Sequence, residues 1–78
     1  MPVMPEELDD DRAFGARLRA ERERLGLEVH ELAHLGGRPD FTQRQYEAGE
    51  IPIPIDYLQA LAWRSDIDVW RVVSGVSR

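Results

Sequence analysis

The sequence predicts an all-α fold of five short helices, on three observations. Apolar side chains recur at three- and four-residue spacing in short runs. Each run is closed by a helix breaker: Gly26, Gly36-Gly37, Gly49, the Pro52/Pro54 pair or Gly75. The chain has 78 residues, and a chain of this size buries only about 60% of its unfolded surface. A few short packed helices are the natural source of so thin a core.

The elements follow in order. Residues 1–11 combine two prolines with an acidic run and read as a flexible tail; the folded domain is expected over residues 12–78. From Arg12, the side chains of Phe14, Leu18 and Leu25 recur at helical spacing, and Arg22 falls on the same stripe, four residues after Leu18. An arginine therefore points inward. Gly26 ends this helix. Val29, Leu32, Ala33 and Leu35 mark a second one of about two turns, up to Gly36-Gly37. After Arg38-Pro39, the stretch Asp40 to Ala48 is a short polar helix with Phe41 and Tyr46 embedded and Gly49 at C′. Glu50 to Pro54 is an extended connection, because each proline restricts itself and the residue before it. Ile55, Leu58, Leu61 and Ala62 give a fourth amphipathic helix. Asp68 is a good N-cap for a fifth, with Val69, Val72 and Val73 as its apolar residues and Gly75 as its stop.

Composition excludes several classes. One small domain leaves no room for a multi-domain enzyme, and the absence of cysteine excludes disulfides. Apolar runs fall far short of the roughly 20 residues needed to span a membrane, and the acidic start lacks the basic region of a signal peptide. A cytoplasmic protein is expected. The net charge of −5 hides an asymmetry: five acids lie within the first eleven residues, leaving ten acids against ten arginines over residues 12–78. Residues 12–24 carry five arginines against Glu21 and Glu23, a net +3. Such a face hints at a phosphate-bearing partner, although charge alone fits an ordinary solvated helix face as well.

Two short helices joined by a glycine-containing turn, the second of them polar, suit a helix-turn-helix, whose polar helix enters the DNA major groove. Several segments together resemble the Cro/phage-repressor-like (XRE) helix-turn-helix family, closest to short prophage-type regulators. They are Phe14 through Leu27 (FGARLRAERERLGL), Glu31-Leu32-Ala33, Gly36-Gly37, Thr42-Gln43, Tyr46-Glu47-Ala48-Gly49, Tyr57-Leu58 and Asp68-Val69 through Ser74-Gly75. The likeness spans about residues 14–75 and rests on the order and spacing of these motifs. It implies a compact five-helix lambda-repressor-like DNA-binding domain that acts on double-stranded DNA as a homodimer, without a cofactor. Nucleoid association is then expected when it is bound.

The resemblance also gives Arg22 a partner. In such domains an arginine late in the first helix pairs with a glutamate near the end of the recognition helix, here Glu47. Matching residues 40–48 to that helix places Asp40, Phe41, Arg44 and Gln45 toward the groove, with Thr42 and Gln43 as helpers. Arg44 suits guanine O6/N7 or a phosphate, Gln45 adenine N6/N7, Phe41 a thymine methyl and Asp40 cytosine N4. For Phe41 a core position on a rotated helix is the alternative. Arg38, in the turn, offers one phosphate contact. Val29 stands where the family often has a DNA-contacting glutamine, and Glu50-Ile51 where it has a cation, so weak binding is expected. With about three or four phosphates neutralised, log affinity should fall against log salt with a slope near −3.

Trp63 and Trp70 lie beside the apolar stripes of the last two helices. They are candidates for a dimer interface, with partial core burial as the alternative. A second functional reading is a helix-turn-helix turned protein-interaction module, with a protein partner at the tryptophans and the acidic tail. His30-Glu31-Leu32-Ala33-His34 matches H-E-x-x-H, a zinc-hydrolase signature. The chain has only these two histidines, on a short helix, and the third ligand would have to be a carboxylate such as Glu47. No metal site and no catalytic residue is therefore expected.

Overall fold

A computed structural model describes residues 10–75 of the chain, which form five helices: α1 (Asp10–Arg24), α2 (Val29–Gly36), α3 (Asp40–Ala48), α4 (Ile55–Arg64) and α5 (Val69–Ser74). The expected tail at residues 1–11 falls mostly outside the described residues. Its last two members do not: Asp10 and Asp11 belong to α1, two residues upstream of the start read from the apolar pattern.

The glycine stops act as expected. Gly37, Gly49 and Gly75 each take a left-handed conformation immediately after α2, α3 and α5, and the amide of Gly49 donates to the Tyr46 carbonyl. Pro39 and Pro54 precede α3 and α4 in extended geometry. The Asp68 carboxylate caps α5 by accepting from the Arg71 amide at 3.1 Å.

In this arrangement α1 packs on α3 and α5, and α2 packs on α3 and α4. Leu18, Leu32, Tyr46, Tyr57, Leu58, Leu61, Ile67 and Val72 form the core, rimmed by Leu25, Leu27, Leu35, Ile51, Ile53 and Val69. The two tyrosine rings pack tilted at 57°, with centroids 4.7 Å apart. One expectation for α4 fails. Its inward stripe is Tyr57, Leu58 and Leu61, so Ile55 and Ala62 lie on the flanks and are exposed.

Glu21 departs furthest from the charge count, which left it in solvent. Its side chain is 2% exposed, because it lies between Leu18 and Leu25 on the inward stripe. Arg24 donates to both its oxygens, at 2.8 and 2.9 Å, and the Asp68 amide donates at 2.9 Å. Arg17 Nε and Nη2 donate to the carbonyls of Val72 and Val73 at 2.6 and 3.0 Å, which closes the end of α5. Thus α1 holds both ends of α5.

The Arg24 hydrogen bonds hold the Glu21 carboxyl below its ordinary value against the opposing effect of burial, helped by the Asp68 amide and the charges of Arg24 and Arg71. A carboxyl depressed in the fold stabilises fully above its unfolded value, about 4.3, and this contribution disappears as pH falls through the lower folded value. Glu21→Gln is therefore expected to be less stable at neutral pH and to lose less on acidification. Thermal melts of both proteins from about pH 7 to pH 3 check this; curves that stay parallel would assign the acid sensitivity to other carboxylates.

Candidate nucleic-acid interface

The site is built around α3. Its inner face carries Gln43, fully buried, and Tyr46; its outer face carries Asp40, Phe41, Arg44 and Ala48, all exposed, with Thr42 and Gln45 at the margins. Phe41 is 65% exposed, so the core position is excluded. Gln43 is the correction. Expected as a helper at the outer surface, it instead accepts from the Tyr57 hydroxyl at 2.5 Å and donates to Glu47 Oε2 at 2.9 Å.

Arg22 and Glu47 meet as the spacing and the resemblance together required. Arg22 Nε and Nη2 donate to Glu47 Oε2 and Oε1 at 2.8 and 2.9 Å, a fork-on-fork pair with side chains 11% and 8% exposed. Arg22 Nη1 also donates to the Leu27 carbonyl at 2.9 Å. The hydrogen bonds to Glu47 lead in raising the guanidinium above its ordinary value. A chain of polar contacts thus runs from Tyr57 on α4 through Gln43 and Glu47 on α3 to Arg22 on α1, and it fixes the roll of α3 about its axis. Within it the Tyr57 hydroxyl is pushed up, foremost by burial.

The supply of free cations is smaller than the sequence suggested. Arg19 pairs with Glu23, Arg24 with Glu21, and Arg17 serves the α5 carbonyls. Arg71 lies 3.9 Å from Glu21. Arg38, expected at a phosphate, donates to the Tyr46 hydroxyl at 3.0 Å and to both Asp56 oxygens at 3.0 and 3.1 Å, and stacks 5.6 Å above the Tyr57 ring. Its guanidinium links the turn to α3 and α4. Among the described residues Arg12, Arg44 and Arg64 have no internal partner.

Arg44 opens onto a cleft of about 390 Å³ between α1, the first turn of α2 and α3, lined by Arg19, Arg22, Val29, Arg44, Glu47 and Ala48. Trp63 is 88% exposed and Trp70 52%, so Trp63 stands outside the core and Trp70 is about half-buried. His30 and His34 are exposed on α2. The intervening Glu31 accepts from the Glu28 amide at 2.7 Å as part of a helix cap, and Glu47 is committed to Arg22 and Gln43. Among the described residues no group of three or more His, Asp or Glu side chains comes together as a metal cluster. No described helix is long and apolar enough to cross a membrane.

Sequence reasoning missed Glu21, Gln43 and Tyr57 as buried polar groups. A signal existed for two of them. Glu21 is spaced three from Leu18 and four from Leu25, and Tyr57 is spaced four from Leu61. Comparison with protein-family models, with curated proteins and with solved structures gave no match to this chain.

Proposed function

We propose that the protein is a sequence-specific DNA-binding transcriptional regulator of the lambda-repressor-like type, with α2 and α3 as its helix-turn-helix and α3 as the recognition helix. One observation carries the reading. A short helix with Asp40, Phe41 and Arg44 outward is locked in roll by a buried ion pair, Arg22 with Glu47, at the position where the Cro/phage-repressor-like resemblance requires it. A rigid outward helix is what base readout needs, since bidentate contacts to base edges tolerate little rotation. Asp40, Phe41, Arg44 and Gln45 supply the contacting side chains. The exposed Trp63 and Trp70 support a homodimer, which would place two copies of α3 on half-sites one helical turn apart.

The test is selection from a pool of randomised duplexes, followed by fluorescence anisotropy on the selected and scrambled duplexes across a range of salt. A selected palindromic site bound at least about a thousandfold more tightly than scrambled DNA is the expected result, and Gln45→Ala should relax preference at a single base pair per half-site. Equal binding to both duplexes, or none at low salt, would remove the reading.

A second reading, a protein-interaction module, is favoured by the same two tryptophans and by the internal commitment of Arg17, Arg22, Arg24 and Arg38. Concentration separates the two uses of the tryptophans. For a homodimer, intrinsic fluorescence is expected to shift to the red on dilution, and Trp63→Ala to abolish the shift. A spectrum constant on dilution would leave the tryptophans to a different partner.

A further inference from the structure

We propose that the cleft beside α3 is a clamp for one backbone phosphate of the bound DNA, with Arg44 and Arg19 as its two grips. The inference rests on the DNA-binding reading and assigns Arg44 to the backbone instead of a base edge. An α-helix about 10–12 Å across fills a major groove about 12 Å wide. Side chains on the flank of α3 must therefore meet the phosphates that form the groove wall. Arg44 and Ala48 are on that flank, and across the cleft from them stand Arg19 of α1 and Val29, the first residue of α2.

Charge at the cleft points to an anion. Arg22 and Glu47 line it but neutralise each other, and both Glu47 oxygens accept hydrogen bonds, so that carboxylate repels little. Arg19 and Arg44 remain. Arg44 has no internal partner among the described residues, although acids outnumber bases by 15 to 10. Among the described residues Arg19 is bound only to Glu23, in a pair with side chains 63% and 55% exposed. Such a surface pair is weak, so Arg19 can exchange Glu23 for a phosphate oxygen. Val29 has no polar side-chain atom, so the arginines are the side-chain donors at this position.

The experiment compares wild type, Arg44→Gln, Arg19→Gln and, as a matched charge control away from the cleft, Arg64→Gln. Each is titrated with a selected duplex and with a scrambled duplex, by anisotropy from low to moderate salt. A phosphate grip predicts a loss of about tenfold in both cleft variants. That loss should be the same factor on both duplexes, and the slope of log affinity against log salt should fall in magnitude by about 0.9. Arg64→Gln should leave affinity and slope unchanged. The side chain of Arg44 is exposed and has no partner among the described residues, so its variant keeps the fold, which circular dichroism verifies. If wild type discriminates the duplexes and Arg44→Gln binds as wild type does, the clamp is wrong and the regulator stands. If Arg44→Gln loses affinity for the selected duplex alone, Arg44 reads a base and the clamp is again wrong. If wild type binds neither duplex, both readings fall together.

Discussion

Replacing Glu47 with alanine is expected to destabilise the domain by about 3–5 kcal/mol, the cost of leaving a buried charge without its partner. A chain of this length has about 4–12 kcal/mol in total, so much of the population should be unfolded well below the wild-type transition. A loss of 1 kcal/mol shifts melting of a small domain by about 4–8 °C, which puts the expected fall above about 10 °C. The size comes from what remains behind. Arg22 would keep its Leu27 carbonyl but lose both Glu47 oxygens, and Gln43 would lose its acceptor. Removing both charges should be milder: Arg22→Met with Glu47→Leu is expected to recover most of the loss, because an apolar pair of similar volume avoids the desolvation cost. The double variant also separates stability from function. If it melts like wild type yet binds DNA more weakly, the pair sets the roll of α3 beyond its share in folding. An unchanged melting temperature in Glu47→Ala would show the pair to be screened by solvent.

Gly15→Ala is expected to cost about 3 kcal/mol or more, although alanine is the better helix former. A β-carbon on Gly15 would lie 2.2 Å from the Tyr46 carbonyl oxygen and 2.7 Å from that of Glu47. These are backbone atoms at the end of α3 and have no rotamer to change. The helices would have to separate, which would also pull Arg22 from Glu47. Ala16→Gly, one residue along on an exposed position, should cost only about 1 kcal/mol. Chemical denaturation of the two variants side by side checks the contrast. Equal losses would mean that α1 and α3 can separate freely.

Helix boundaries were legible wherever glycine ended an element. Gly37, Gly49 and Gly75 need a left-handed turn that other residues resist, and each lies where the periodic pattern ran out. The inward turn of Arg22 was legible from spacing alone, but its partner came through the resemblance, since no local pattern links residues 22 and 47. Glu21 was hidden by the opposite habit. Counted as one of two acids offsetting five arginines, it was left in solvent, while its spacing from Leu18 turned it inward. Its main-chain partner, the Asp68 amide, is 47 residues away. Arg38 reads as a free cation until Tyr46 and Asp56 converge on it. The outward set Asp40, Phe41 and Arg44 came through the match to the recognition helix, and Phe41 stayed open between surface and core until its exposure settled it. Gly15 gave no sign in sequence. A close approach of two helices is a property of both, and only one of them is visible locally.

The grip of α1 on α5 has a consequence for the order of events during synthesis. Glu21 and Arg17 reach main-chain partners at Asp68, Val72 and Val73, and α5 has six residues, too few to persist alone. The contacts between α1 and α5 therefore form only after α5 has left the ribosomal tunnel. Completion of the fold, with Glu21 and Arg17 holding the two ends of α5, should be a late step.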